Sequence, residues 1–199
     1  MMSNMKVYEQ YQKIVDWFDG TRGKNLMEKK YLDLILQYIP SNSTILDLGC
    51  GTADPIARFF IEKGHEVTGV DGSSDMIALC KKRFPNARWI VSDMLAIDLP
   101  ETFTVILAWH SFFHLTHDDQ RRMFKIIAAH LQTGGIFAFT SGYEFGEVWG
   151  MNGGQNLYHA SLSTAEYQQQ LAEHGFTVLV HKIEDPECGN ATVWVAQKW

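Results

Sequence analysis

The feature that most constrains this sequence is an alternation of short apolar runs and amphipathic segments between residues 44 and 140. Each apolar run has the length of a strand, and several lead into segments with helical spacing. Strands that alternate with helices predict a parallel sheet with helices on both faces. The predicted strands are 44–48, 65–70, 88–91, 103–109 and 136–140, and the predicted helices are 55–63, 74–84 and 118–131.

The C-terminal part departs from this alternation. Ser163 begins a capping-box pattern that predicts a helix ending at His174-Gly175. The β-rich runs 176–184 and 191–198 follow, and the segment between them is too short for a crossover helix, so they predict an antiparallel hairpin. The expected fold is α/β, with a doubly wound, mostly parallel seven-stranded sheet, a C-terminal antiparallel hairpin and helices on both faces.

Two further segments flank or interrupt this domain. Residues 6–19 and 25–38 have helical periodicity, so residues 1–40 are expected to form a helical cover over the binding site. Residues 41–199 form the predicted sheet domain. Within it, 141–162 is rich in Gly, Tyr, Asn and Trp without periodicity and is expected to be a long loop or lid.

Composition limits the class of partner. Apolar residues make up 46% and charged residues 20%, which is typical of a globular protein. The net charge of -6 disfavours a nucleic-acid partner, because an acidic chain repels phosphate backbones. The three cysteines form no disulfide pattern, and we see no signal peptide and no membrane-spanning run, so the expected location is the cytoplasm. The expected oligomeric state is a monomer or homodimer.

The strongest local signal is the segment from Ile45 to Ala53, which leaves a buried strand, passes Gly49-Cys50-Gly51 and enters a helix. Glycine permits both the tight turn and a close approach of backbone to a ligand. Asp71 ends the next strand, twenty residues after Gly51. An acidic group at this position can accept both hydroxyls of an unphosphorylated ribose. Together the two features predict a nucleoside-binding site.

These features fit either a nicotinamide enzyme or a methyltransferase. The third glycine of a dinucleotide site is absent, and Asp54 would place negative charge where a pyrophosphate must lie. Asp47 precedes the glycines, where it could meet a cationic amino group. The C-terminal hairpin is also unlike a repeated mononucleotide-binding half. The balance favours S-adenosylmethionine.

Here the sequence resembles the class I S-adenosylmethionine-dependent methyltransferases, over about residues 43–140 and the terminal hairpin. Four motifs occur in order, namely Asp47 to Ala53, Val70 to Met76, Ser92-Asp93-Met94 and Ile106 to Ser111. Ala53 stands where the family often has a third glycine. The resemblance implies that Asp71 binds the ribose, that Met76 lies near the adenine and that Asp93 and the Met94 backbone contact it. It also implies that the relatives of this chain are bacterial methyltransferases that act on small molecules.

The N-terminal segment adds two candidates. Arg22 has the forked donors that suit the methionyl carboxylate, and Trp17 accompanies it; the alternative is a surface arginine beside a core tryptophan. The full set of expected cofactor-binding residues is Trp17, Arg22, Asp47, Gly49, Cys50, Gly51, Asp71, Gly72, Met76, Asp93, Met94 and Trp109.

Three histidines, His110, His114 and His117, surround the end of the fourth strand. No carboxylate or cysteine completes a metal set, so no metal is expected. His110 is the candidate general base, because an imidazole titrates near neutral pH, with a structural or substrate-contacting role as the alternative. His117 is expected to begin a helix. His114, with Tyr158 and His159 from the 141–162 segment, is expected to contact the substrate.

The predicted activity is in-line methyl transfer to a small-molecule acceptor of unknown identity. The cofactor brings the reactivity, so the protein must align donor and acceptor and exclude water. A base is needed only if the acceptor arrives protonated. Two alternatives stay open at this stage: a non-catalytic S-adenosylmethionine-binding regulatory protein, and a nicotinamide-dependent oxidoreductase.

Overall fold

A seven-stranded sheet with the order β3-β2-β1-β4-β5-β9-β8 forms the centre of the computed structural model, which describes residues 6–199. Strands β1 to β5 are parallel, and β9 runs antiparallel to both β5 and β8. The predicted fold class is therefore confirmed. The strands are β1 (Thr44–Leu48), β2 (Glu66–Asp71), β3 (Arg88–Val91), β4 (Phe103–Ala108), β5 (Leu131–Ser141), β8 (Phe176–Asp185) and β9 (Ala191–Lys198).

Helices cover both faces of this sheet. The neighbouring β1 residues Ile45 and Leu46 are fully buried and belong to different apolar clusters, because successive side chains of a strand point to opposite faces. Leu32 and Phe60 cover the first face, and Phe124 covers the second. The helices are α1 (Val7–Tyr11), α2 (Val15–Thr21), α3 (Lys29–Leu36), α4 (Ile56–Glu62), α5 (Ser74–Arg83), α6 (His117–His130) and α7 (Thr164–Glu173).

The strand order places the site. Strands β2 and β3 extend the sheet on one side of β1, and β4 and β5 extend it on the other side. In open α/β sheets the crevice outside the carboxyl ends of the strands, where the order reverses, is the usual position of a ligand. Here that crevice lies between the turns that follow β1 and β4.

The segment 141–162 is a β-hairpin, so the expectation of an irregular loop is wrong. Strands β6 (Gly146–Asn152) and β7 (Gln155–Ser161) pair in antiparallel register. Gly153 and Gly154 both have positive φ, which a two-residue hairpin turn of this kind requires. His117 holds the base of the hairpin, since its Nε2 lies 3.1 Å from the carbonyl oxygens of both Gly146 and Ser161.

Several boundaries differ from the predicted ones. The helix expected at 6–19 is two short helices, because Lys13 and Ile14 donate to carbonyls three residues back, in a tight turn. Helix α3 is shorter than expected. Residues 1–5 of the expected cover lie outside the described part of the chain.

Helix capping is partly as predicted. Ser163 caps α7 by accepting from the Glu166 amide at 3.2 Å, and His117 begins α6, as expected. Asp54 does not cap α4, because Pro55 holds the N-cap position and no side-chain cap forms there. The Asp54 carboxylate is instead ion-paired to Lys24 and Arg58.

Among the helices of residues 6–199, none combines the length and apolar character needed to span a membrane.

Candidate active site

The turn after β1 is built from backbone that tolerates no larger side chains. Gly49 and Gly51 have φ values of 74° and 54°, in the left-handed region that favours glycine. A Cβ on Gly49 would lie 2.3 Å from the Ser111 Cβ. The Gly49 and Cys50 amides both donate to the Val70 carbonyl, at 2.7 and 3.1 Å, so the turn is tied to the end of β2.

Asp71 completes this connection. Its Oδ2 accepts from the Gly51 amide at 2.9 Å and its Oδ1 accepts from the Ser73 amide at 2.8 Å. Burial raises the pKa of Asp71 to about 6, although the two amides act in the opposite direction. Each carboxylate oxygen can accept more than one hydrogen bond, so capacity remains for a pair of ligand hydroxyls.

A cavity of about 650 Å³ opens beside this turn. Its size suits a nucleoside-sized ligand with room for a second small molecule. The structure brings nearly all predicted site residues into its wall. These are Arg22, Asp47, Gly49, Cys50, Gly51, Asp71, Gly72, Met76, Asp93, Met94, Trp109, His110, His114, Tyr158 and His159.

Trp17 is the exception, and its expected place in the cofactor site is wrong. Its side chain is 43% exposed and lies outside the cavity. The ring packs on the hairpin turn, where a Cβ on Gly153 would lie 2.7 Å from it. The neighbouring Phe18 faces the cavity instead, with its ring 3.3 Å from a Cβ built on Gly51.

Two tyrosines of α1 also cover the site and were not predicted to do so. A Cβ on Gly72 would lie 2.2 Å from the Tyr8 ring, so glycine is needed for the ring to lie over the end of β2. Tyr11 packs edge-on against Phe18 with ring centroids 5.5 Å apart. The helical spacing that placed Tyr11 and Phe18 on one face was the available signal; Tyr8 carried none.

Arg22 lines the cavity but already has a partner. Its Nη2 donates to Glu28 Oε1 at 2.9 Å, and Glu28 is only 1% exposed. The same Glu28 oxygen lies 3.9 Å from His110 Nε2. Sequence reasoning missed Glu28, because no local pattern marks a carboxylate whose partners come from other elements.

Asp47 is a buried carboxylate at the end of β1. Burial raises its pKa to about 7, the nearby charge of Asp71 adds to the increase, and Arg22 opposes it. The buried Asp47 and the partly buried Asp71, with one arginine nearby, form a site that favours a positively charged ligand group.

Asp93 lies at the other end of the cavity. Its Oδ1 accepts from the Leu95 amide at 2.9 Å, and its Oδ2 is 3.2 Å from Lys6 Nζ. Met76, on α5, is buried in the same wall. The two segments that the sequence places at this end of the site, 70–76 and 92–94, therefore meet in space.

His110 occupies a left-handed backbone conformation, with φ of 52°, and its amide donates to Thr140 Oγ1 at 2.9 Å. Such strain in a residue other than glycine is concentrated at functional sites. Burial, assisted by Arg22 and His114, lowers the pKa of His110 to about 3. The imidazole is therefore neutral at pH 7 and weakly basic, which disfavours the expected role as general base in this state.

His114 has both ring nitrogens occupied within the protein. Nδ1 is 2.8 Å from the Tyr158 carbonyl oxygen, which can only accept, so Nδ1 carries the proton of the neutral ring. Nε2 then accepts from the Tyr11 hydroxyl at 3.1 Å. Burial lowers the pKa of His114 to about 4 and raises that of Tyr11 to about 12, so the pair stays neutral.

The hairpin supplies the remaining wall. His159 stacks on Phe113 with ring centroids 5.2 Å apart, and Trp149 meets Tyr158 edge-on at 5.3 Å. Burial and a hydrogen bond to Glu147 raise the pKa of Tyr158. Phe113, Glu147 and Trp149 also line the cavity, and none of them was among the predicted site residues.

The Asp54 charge is balanced by Lys24 at 3.2 Å and Arg58 at 2.8 Å, so the argument that Asp54 alone excludes a pyrophosphate is weaker than the sequence suggested. Within residues 6–199 no group of three or more His, Cys, Asp or Glu side chains could hold a metal ion.

The residues present fit S-adenosylmethionine. The positive φ of Gly49 and Gly51 and the close approach of Ser111 to Gly49 favour a turn without side chains, and each Asp71 oxygen can accept a further hydrogen bond from a ribose. Trp109 Nε1 is buried in the cavity wall without a hydrogen-bond partner. The basic side chains of the wall, Lys6 and Arg22, are each ion-paired, as suits a ligand without phosphate.

Comparison with known proteins agrees with this geometry. The family model described as a methyltransferase domain matches residues 45–135. The dTDP-4-amino-2,3,4,6-tetradeoxy-D-glucose N,N-dimethyltransferase of Saccharopolyspora spinosa is 30% identical over 127 residues, which cover 62% of this chain and 51% of that protein. This chain spans about half the length of the curated relatives it matches.

Solved structures share the fold over almost the whole chain. The CcbJ methyltransferase from Streptomyces caelestis gives a TM-score of 0.76 at 17% identity and covers 97% of this chain and 98% of that one. An amino pentose methyltransferase from Micromonospora echinaspora, CalS10 with bound S-adenosylmethionine, gives a TM-score of 0.73 at 19% identity, covering 100% and 99%. Residues 45–135 thus match a methyltransferase-domain model, and the fold is the one found in these methyltransferase structures.

Proposed function

We propose that this protein transfers a methyl group from S-adenosylmethionine to a small-molecule acceptor. The observation that carries the proposal is the Asp71 carboxylate, which ends β2 and bonds to the Gly51 amide within a cavity of about 650 Å³. This arrangement offers an acidic acceptor for a ribose next to a bare glycine turn. The relatives named above have methyltransferase names, which supports the same activity.

The cavity wall divides into parts that suit different portions of the cofactor. We assign the ribose to Asp71 and Gly72, and the adenine to Met76, Asp93 and the Met94 backbone. The amino acid portion falls to Asp47 and Arg22, with Gly49, Cys50, Gly51 and Trp109 beside it. Arg22 would share its guanidinium between Glu28 and the methionyl carboxylate, which its five donors allow.

When bound, the cofactor supplies a methyl group on an electrophilic sulfonium. The chain's own residues align the acceptor and exclude water. Helices α1 and α2 place Tyr8, Tyr11 and Phe18 over the turn, and the β6–β7 hairpin places Tyr158 and His159 opposite them. We therefore propose that residues 6–40 and the hairpin act together as the cover. His110 and His114 act as neutral positioning groups.

We further propose a monomer or homodimer without a nucleic-acid acceptor, as the acidic composition suggests. Cys50, Cys80 and Cys188 are buried free thiols, which supports a reducing compartment such as the cytoplasm. A non-catalytic S-adenosylmethionine-binding protein would share the same cavity, so activity must be measured separately from binding.

The experiment is calorimetric titration of the wild type and Asp71→Asn with S-adenosylhomocysteine, S-adenosylmethionine and NAD. We expect Asp71→Asn to weaken S-adenosylhomocysteine binding by about 10- to 100-fold, because a charge-assisted hydrogen bond contributes about 1.5–3 kcal/mol. Asp75→Asn, on the exposed side of α5, is the matched control. Tight NAD binding, or unchanged affinity in Asp71→Asn, would contradict the proposal.

Activity is measured as release of S-adenosylhomocysteine with a panel of oxygen, nitrogen and sulfur acceptors. Turnover with one class supports the enzyme. Tight cofactor binding without turnover across the panel would favour a regulatory binding protein instead.

A further inference from the structure

The acceptor end of the cavity has a composition that the proposed function does not use. It is formed by Phe113 and His114 after β4 and by Glu147, Trp149, Tyr158 and His159 of the hairpin. Resting on the proposed function, we infer that the acceptor is an amine that carries no phosphate or carboxylate group.

The charges in the wall argue against an anionic acceptor. Among the described residues that line the cavity, the basic ones are Lys6 and Arg22. Lys6 lies 3.2 Å from Asp93, and Arg22 lies 2.9 Å from the buried Glu28, so each already has an acidic partner. A phosphate is normally bound by charge-assisted donors, and the acceptor end offers no such cation.

The acidic groups act in the same direction. Asp47 is buried and Asp71 is partly buried beside the β1 turn, and Glu147 lies at the hairpin side of the cavity. Glu147 is exposed, with 53% of its side chain accessible, and its Oε1 lies 3.4 Å from His117 Nδ1. An acceptor that carried a nucleoside diphosphate would place like charges near these carboxylates, which is costly.

The aromatic rings favour an amine. Phe113 and His159 stack at 5.2 Å, and Trp149 and Tyr158 meet edge-on at 5.3 Å, so these four aromatic rings share the cavity wall with Glu147. Aromatic faces attract cations, and the attraction strengthens where water is excluded. The neighbouring His114 is neutral, with both nitrogens occupied, so it adds no opposing positive charge.

The reaction of an amine fits this environment. The ammonium form that the wall attracts first loses one proton to water. The nitrogen lone pair of the neutral amine then forms the new N–C bond while the S–C bond breaks, and the electron pair of that S–C bond stays on sulfur as a thioether. The positive charge moves from sulfur to nitrogen, and the N-methyl ammonium product then loses a proton to water. The cavity therefore holds one positive charge before and after transfer, which its carboxylates stabilise.

The test is titration of the S-adenosylhomocysteine-loaded protein with two probes of similar shape and opposite charge, phenethylamine and 3-phenylpropanoate, followed by ligand-observed NMR. We expect phenethylamine to bind about tenfold tighter, and Glu147→Gln to reduce that preference about threefold. Glu144→Gln removes the same charge from an exposed position outside the cavity and should leave the preference unchanged.

Equal or tighter binding of the carboxylate, absence of binding by either probe, or an unchanged preference in Glu147→Gln would overturn the inference. The two proposals fail in different ways. Failure to bind S-adenosylhomocysteine contradicts the proposed function. Normal binding of that cofactor product without an amine preference contradicts only the acceptor class.

Discussion

The Tyr11 hydroxyl donates a hydrogen bond of 3.1 Å to His114 Nε2 and so connects the first helix to the turn after β4. The other nitrogen of His114 donates to the Tyr158 carbonyl at 2.8 Å. One neutral imidazole therefore joins the N-terminal helices, the central sheet and the hairpin. The two halves of the cover are coupled through this ring.

We expect Tyr11→Phe to loosen the cover. The substitution removes the donor to His114 Nε2 and leaves a buried acceptor unsatisfied, which costs about 1–3 kcal/mol. Denaturant unfolding measures the loss, and calorimetry should show weaker S-adenosylhomocysteine binding. Tyr38→Phe, at a side chain that is 43% exposed, is the control and should change stability by less than about 0.5 kcal/mol. Equal effects in both variants would contradict the coupling.

The sequence predicted those parts of the site that depend on local chain geometry. The glycine turn, Asp71 and Asp93 each follow a strand of the parallel sheet, and carboxyl ends of parallel strands meet at one edge. Their position could be inferred without knowing which other elements contact them.

The missed parts depend on tertiary contacts. Glu28 belongs to the site because it is ion-paired with Arg22 and lies 3.9 Å from His110. Tyr8 belongs to the site because Gly72 has no Cβ and so leaves space for the tyrosine ring. The exchange of Trp17 for Phe18 has a similar origin, because Trp17 packs on the turn of the β6–β7 hairpin, which the sequence did not predict. The hairpin was missed since its residues lack a clean alternation of apolar and polar side chains.

Asp47 gives a pH-dependent prediction. Burial raises its pKa to about 7, well above that of an unfolded aspartate, so the folded state binds a proton more tightly than the unfolded state. The stability this provides is complete at low pH and is lost as the pH rises through about 7. Asp47→Asn should therefore gain stability relative to the wild type on going from pH 5 to pH 8, by about 2 kcal/mol.

Chemical denaturation of both proteins at the two pH values measures this difference. The comparison must be between variants, because the depressed pKa values of His110 and His114 act in the opposite direction and offset the change in the wild type. The exposed Asp98→Asn is the control and should follow the wild type at both values. A parallel shift of Asp47→Asn and the wild type would show that this carboxyl is not perturbed.

The two buried imidazoles should remain neutral across the physiological range. Burial lowers the pKa of His110 to about 3 and that of His114 to about 4. We expect the C2 proton resonances of both rings to keep their chemical shifts between pH 5 and pH 8. His110→Gln and His114→Gln assign the two signals. Titration of the His110 signal near pH 6.5 would restore this residue as a candidate general base.

Because the Tyr8 ring lies against Gly72, we expect Gly72→Ala to destabilise the protein and Tyr8→Ala to relieve that effect. A Cβ on Gly72 would lie 2.2 Å from the Tyr8 ring, so Gly72→Ala must displace α1 from the cavity. Overpacking of this kind costs about 1–3 kcal/mol, and the displaced cover should also weaken cofactor binding. Gly20→Ala is the matched control, because a Cβ there meets nothing within 4 Å and alanine favours the helix.

The double variant Gly72→Ala with Tyr8→Ala separates the steric effect from a change in the backbone. If the ring is the obstacle, the Gly72→Ala substitution should cost little in the Tyr8→Ala background, and the cycle should show a coupling of about 1–3 kcal/mol. Denaturant unfolding and S-adenosylhomocysteine titration of the four proteins measure it. Additive effects would mean that Tyr8 does not lie over Gly72, and the position assigned to α1 above the ribose site would then be wrong.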